Sequence, residues 1–204
     1  DVYKRQGLNG KLRAVNEVEA NSLRIAGIGG GRVGDAMVVV GNLLLDFDYT
    51  LMSSVWKVPN QHFRNLALET MEERVGTLNK LGCDHTSESL ESYLAEAIVE
   101  SLERPINETQ FEKEEIQAGR NIASDLSSLE FLSLHHPVCS VEPMKSLKIS
   151  ADVFIHQIHI RLEDQEADVS VRADKGIVTN LQTDSSRKAK IRKLLIGSPL
   201  SDWT

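Results

Sequence analysis

Hydrophobic positions along the chain fall into stretches of different period. Residues 12–18 and 23–28 read as short strands joined by a polar turn, 19–22, that contains Asn21-Ser22. Residues 36–47 are nearly continuous in apolar side chains, with Val38, Val39 and Val40 in succession. Such a run predicts a long central strand buried on both faces. The period then becomes helical. Asp48 or Thr50 can cap a helix running to about Val55, and Pro59-Asn60 breaks it. Phe63, Leu66, Leu68 and Met71 recur at helical spacing in 60–74, and Leu90, Leu94, Ala97, Ile98 and Leu102 do so in 87–102, which Pro105 ends. Residues 109–124 form an acidic helical stretch, and 127–148, with His135-His136-Pro137, has no clear period. Strands then follow at 151–162, 167–173 and 177–183, with Asp174-Lys175-Gly176 as hairpin chemistry between the last two. A final helix over 185–196 stops at Gly197 and Pro199.

The chain has 204 residues and a net charge of −7, enough for one large domain or a core domain with a small one. No strongly basic face or run is present, which argues against a nucleic-acid partner; the richest patch, Arg187-Lys188 to Arg192-Lys193, reads as a solvated helix face. The longest apolar run, 37–45, is too short to span a bilayer, which argues against a membrane protein. Cys83 and Cys139 lie far apart without zinc spacing and read as free thiols of a reducing, cytoplasmic compartment. Residues 1–6 lack an initiator Met and fit no targeting signal, so they read as a non-native leader.

Candidate chemistry concentrates between Asn16 and Asp48. Glycines there permit close approach of a ligand to the backbone, and a cation among them points to an anionic ligand. Gly29-Gly30-Gly31-Arg32-Val33-Gly34 matches the letters of a dinucleotide fingerprint. That chemistry needs a helix opening at the motif, and a valine-rich strand follows instead. A phosphate loop fails as well, because Asp35-Ala36 follow Gly34 in place of Lys-Ser/Thr. His135-His136 has no third ligand nearby, and His156 and His159 fall on opposite faces of a strand.

Residues 43–51, with Asp46-Phe47-Asp48-Tyr49-Thr50, resemble the first motif of haloacid dehalogenase-like phosphohydrolases. That resemblance implies Asp46 as nucleophile and Asp48 as general acid/base beside Mg²⁺. In the plainer reading Asp46 ends a strand and Asp48 caps the next helix.

Taken as one unit, 16–48 is similar to the second half of the catalytic domain of lipoate–protein ligases, in the biotin/lipoate ligase superfamily. Asn16-Glu17-Val18 falls at that family's Asn-Asp-Leu motif. Arg24-Ile25-Ala26-Gly27 falls at its catalytic Lys motif, and Val39-Val40-Gly41-Asn42-Leu43-Leu44 at its His-His-Gly-Thr-Leu-Leu strand. Leu51 to Val58 with Pro59 to Arg64 resembles its helix and adenylate-covering loop, Glu72 to Leu78 that loop's exit, Val171 to Val178 through Thr183-Asp184 its accessory-domain hairpin, and Leu194-Leu195-Ile196-Gly197 the closing helix. Arg24 stands where the family has Lys, Glu17 where it has Asp, and Val39-Val40 where it has two histidines. The family's earlier Arg-Arg-x-x-Gly-Gly-Gly segment does not occur in the chain.

The resemblance implies an α+β protein. A truncated class II synthetase-like domain with an antiparallel or mixed sheet and helices would occupy 7–104, and a small α+β accessory domain 105–204. It implies attachment of lipoate or octanoate, through an acyl-adenylate made from ATP with Mg²⁺, to a lysine of lipoyl-domain proteins such as E2 subunits and the glycine cleavage H protein. Arg24 would be the catalytic cation, Asn16, Val18, Ala26, Gly27, Gly41 and Leu43 would bind nucleotide or acyl group, and Asn16 would lie near the metal. This chain would hold half a site and be inactive alone. A non-catalytic scaffold that binds lipoyl domains is a third reading.

Overall fold

The computed structural model describes residues 7–13, 16–83, 86–133 and 145–203. Residues 1–6, His135-His136 and Cys139 lie outside them. The architecture is α+β, with two antiparallel four-stranded sheets and helices among the described residues. Two compact units divide the chain. One holds the residues up to Ser87 together with those from 145 onward; the other begins at Glu88.

In the first unit, the first sheet has the order β1 (Lys11–Arg13), β2 (Glu17–Ala20), β3 (Leu23–Val33) and β4 (Ala36–Leu43). Asn21 and Ser22 form the two-residue β2–β3 loop, both at positive φ (51° and 65°), as a type I′ hairpin turn requires. The β3–β4 hairpin turns at Gly34-Asp35, and Arg32 donates to the Gly34 carbonyl at 2.9 Å and pairs with Asp35 at 3.1 Å. The fingerprint-like glycines therefore belong to a hairpin, with no helix opening at them.

One expectation fails here. Residues 36–47 do not form a central strand buried on both faces. β4 is an edge strand that ends at Leu43, and Met37, Val38, Val39 and Val40 are exposed. Its partners in register are the glycines: Gly29 faces Val40, Gly30 faces Val39 and Gly31 faces Val38. A strand buries both faces only where neighbours supply side chains, and glycines supply none.

The second sheet has the order β5 (Ser146–Ser150), β6 (Val153–Leu162), β7 (Gln165–Asp174) and β8 (Ile177–Gln182). β5 falls in the stretch that has no legible period. Lys175 and Gly176 close the β7–β8 hairpin at positive φ, as the Asp-Lys-Gly signal predicts. Strand alternation directs Ser170 and Arg172 to one face and Val169 and Val171 to the other.

Helix α1 (Tyr49–Val55) and helix α2 (Gln61–Arg74) follow β4. α2 begins at Asn60, whose side chain accepts from the Phe63 N–H at 2.9 Å. Its apolar stripe Phe63, Leu66, Ala67 and Met71 packs with Val75 against Leu147, Ile149, Val153 and Ile155. The opposite face of the second sheet packs Ile158, Ile160, Val169, Val171, Val178 and Leu181 against Ile191 and Leu195 of the C-terminal helix, Lys188–Leu195. In the second unit, helices span Ser87–Leu102, Lys113–Leu126 and Leu129–Ser133, the second opened by a reciprocal Glu112–Glu115 capping box.

Candidate functional site

Three cross-strand rows bring the sequence-predicted residues together. Val18, Ala26 and Leu43 lie in one row, and Glu17, Gly27 and Asn42 in the next. Ile28 and Gly41 form the third, where the Ile28 N–H donates to the Asn16 carbonyl at 2.9 Å. Val18 and Ala26 are buried within the sheet, whereas Asn16 and Gly41 are exposed. The Asn42 side chain accepts from the Gly27 N–H at 2.7 Å, fixing the carboxamide across the row.

Arg24 leaves this sheet near its first residues. Its carbonyl accepts from the Gly76 N–H at 2.8 Å, and its backbone bridges Val75. Gly76 is required there: a Cβ at that position would sit 2.8 Å from the Cβ of Leu23. The Tyr49 hydroxyl donates to the Val75 carbonyl at 2.8 Å and so braces the same segment. Burial, and then the carboxylates of Asp46 and Glu72, push the Tyr49 phenol above its ordinary value, so it stays a donor.

The Arg24 guanidinium reaches the second sheet, 3.4 Å from the Ile149 carbonyl, and lies 3.9 Å from Glu17. Gly27 makes room for it, since a Cβ there would be 3.0 Å from one guanidinium nitrogen. Glu17 is only 2% exposed. Its carboxylate accepts from the Ala151 N–H at 2.6 Å and pairs with Lys148 Nζ at 2.8 Å. A buried carboxylate thus has three partners drawn from β3 and from the β5 region, which offsets its desolvation.

Arg24, Asn42 and Lys148 form the polar end of a cavity of about 230 Å³. Its other walls are Leu44, Phe47, Met52, Trp56, Met71, Val75 and Ile149. An apolar chamber with two cations and a carboxamide at one end suits a ligand with an apolar chain and an anionic head. Sequence reasoning singled out Arg24 and missed Lys148, Asn42 and Trp56. Lys148 carried no signal of its own, because β5 lies in a stretch read as irregular.

The remaining candidates lie elsewhere. Asp46 accepts from the Phe47 N–H at 2.8 Å, and Asp48 caps α1 by accepting from the Leu51 N–H at 2.8 Å. Both follow an antiparallel edge strand, not the parallel strand the phosphohydrolase resemblance would call for. His159 stands on the surface between Asp168 and Glu166, and hydrogen bonding to Asp168 is the main force raising its imidazole above the ordinary value. Arg172, Arg74, Asp174 and Glu73 form an ion network that ties α2 to β7. No group of three His, Cys, Asp or Glu that could hold a metal occurs among the described residues. Asn16 by itself offers too few ligands for a metal site of the protein's own. No helix among the described residues is long and apolar enough to cross a membrane.

No family model and no curated protein matches the chain in sequence. Among solved structures, the fold resembles a bi-partite lipoate protein ligase from Thermoplasma acidophilum, described with its E2 lipoyl domain as an archaeal lipoylation system. The TM-score is 0.58 at 22% identity, over 64% of this chain and 52% of that one. LipL1 of P. falciparum, in complex with lipoate, aligns with a TM-score of 0.42 at 15% identity, over 97% of this chain and 56% of that one. The chain spans about half the length of each. Its fold is therefore one found in a lipoate protein ligase.

Proposed function

We propose that this chain forms part of a lipoate–protein ligase, with the cavity between Arg24 and Trp56 taking the acyl chain of lipoate or octanoate. The observation that carries this reading is the pairing of an apolar chamber with a cationic end, Arg24 and Lys148, in a fold shared with a lipoate protein ligase. In the proposed reaction a carboxylate oxygen of the acid attacks the α-phosphorus of ATP, and pyrophosphate leaves. The amine of a lipoyl-domain lysine then attacks the acyl carbon, AMP leaves, and the amine loses a proton. The first step brings two anions together, and a fixed guanidinium lowers that repulsion. Arg24 offers a planar donor fork where the family's lysine offers a point charge. Mg²⁺ would enter with the nucleotide, since no group of three His, Cys, Asp or Glu among the described residues could hold it.

Trp56 lines the cavity and reports directly on its filling. Titration with lipoate or octanoate is expected to give a saturable change in Trp56 fluorescence that Trp56→Phe abolishes, and lipoate-dependent ATP–pyrophosphate exchange in the full-length gene product. Absence of saturable binding overturns the reading. The Arg24 replacement favours a second reading, a non-catalytic scaffold for lipoyl domains. Acyl binding without exchange, with exchange gained in Arg24→Lys, would decide for it.

A further inference from the structure

We infer that Lys148 is the second cation for the ligand's anionic head, and that buried Glu17 sets the charge of the cavity so that both Arg24 and Lys148 are needed to hold one carboxylate. The inference rests on the reading of the cavity as an acyl-chain site. Three charged groups meet at its polar end: Glu17 pairs with Lys148 at 2.8 Å and lies 3.9 Å from Arg24. Glu17 is held in place by the Ala151 N–H and is shielded from water, so it remains part of this end whatever enters the cavity. One carboxylate cancels one cation, and two cations leave a net charge of +1 for a ligand of charge −1. With either cation alone the end is neutral, and an anion gains little over an uncharged head.

The two cations also come from different sheets. Arg24 is on β3, and Lys148 is on β5, at an irregularity in the pairing between Lys148 and Ser150. Such an irregularity re-aims side chains. Lys148 lines the cavity, and its side chain is 41% exposed. It can therefore keep its contact with Glu17 and still donate to an incoming oxygen, since an ammonium has three donors.

Charge balance yields a test that a packing role does not share. Affinities for octanoate and for octan-1-ol, read by Trp56 fluorescence, are compared in the full chain. Wild type is expected to prefer octanoate by about tenfold or more, the scale of one charge-assisted contact. Lys148→Met is expected to lose that preference while still binding octan-1-ol, and Lys148→Arg to retain it. Glu17→Gln combined with Lys148→Met is expected to restore the preference, because Arg24 is then no longer neutralised. Circular dichroism confirms folding of each variant. A folded Lys148→Met protein that still prefers octanoate overturns the inference and leaves the cavity reading standing. So does a folded double variant without restored preference. Wild type that binds neither probe overturns the cavity reading and the inference together.

Discussion

Gly76→Ala tests how the wall behind Arg24 is built. Gly76 does not occupy the left-handed region, so alanine meets no backbone penalty there. The obstacle is steric: the new methyl would lie 2.8 Å from Leu23 Cβ, 3.0 Å from Leu23 Cδ1 and 3.4 Å from Ile25 Cγ2. Leu23 Cβ is attached directly to the backbone of β3, so rotation of a side chain cannot relieve the first contact. Overpacking of this kind costs about 1–3 kcal/mol, and the smaller conformational freedom of alanine in the unfolded chain returns about 0.4–1 kcal/mol. The midpoints leave a net loss of about 1.3 kcal/mol, a fall of roughly 3–5 °C in Tm for a chain of this size. The strain falls on the bridge between Arg24 and Val75, so octanoate affinity is expected to fall as well. Gly31→Ala is the control, because nothing lies within 4 Å of its would-be Cβ. Thermal unfolding followed by circular dichroism gives both numbers. A Gly76→Ala protein as stable as wild type, or a Gly31→Ala protein equally destabilised, would refute the argument.

Gly27→Ala presents its methyl to the far end of the Arg24 side chain, at 3.0 Å, and a flexible end can move. Tm is expected to stay within a few degrees, by roughly the small cost of a surface change, while octanoate affinity at Trp56 drops. Asn60→Ala removes the α2 cap on the Phe63 N–H and the bond to Gln157 at 3.1 Å, and urea unfolding should register a loss of about 1–2 kcal/mol. Burial alone pushes the Asp174 carboxyl up, but the hydrogen bonds and charge of Arg172 and the charge of Arg74 outweigh it and hold the group below its ordinary value. A group depressed in the folded state contributes stability that is present above about pH 4 and lost as pH falls through its folded value. Asp174→Asn should therefore narrow the difference in urea midpoint between pH 7 and pH 3. Octanoate at about a hundredfold its Kd should stabilise the fold by about 2.7 kcal/mol, with amide protection rising in α2 and β5 and unchanged in the helix Lys113–Leu126.

The elements were most legible where local chemistry and tertiary environment agree. Asn21-Ser22 and Lys175-Gly176 are hairpin loops in sequence and in structure because positive φ is a local demand. The stripe Phe63, Leu66 and Met71 predicts α2, since the second sheet covers that side of it. β4 went the other way. Its valines satisfy the pattern of a buried strand, but burial depends on the partner strand, and Gly29 to Gly31 lie opposite. Arg24 was legible through its place beside glycines and by resemblance. Lys148 was not: it reaches the site only because Ala151 and Lys148 both meet Glu17, contacts more than a hundred residues apart in sequence.

Under the proposed ligase reading, that long-range contact accounts for an arginine at the position where lipoate–protein ligases carry lysine. A lone guanidinium beside buried Glu17 would be neutralised. Arg24 spends part of its donor capacity on the Ile149 carbonyl and is oriented by the space Gly27 leaves. It is thus a fixed, planar element anchored across two sheets. Lys148 adds what Arg24 lacks, a compact cation on a flexible stem at the cavity wall. Glu17 joins the two and, through Ala151, ties their spacing to the packing of one sheet on the other. On this view the anion site is a property of the assembled unit and not of the Asn16-to-Asp48 segment, so a peptide carrying that segment alone would keep Arg24 and lose the site.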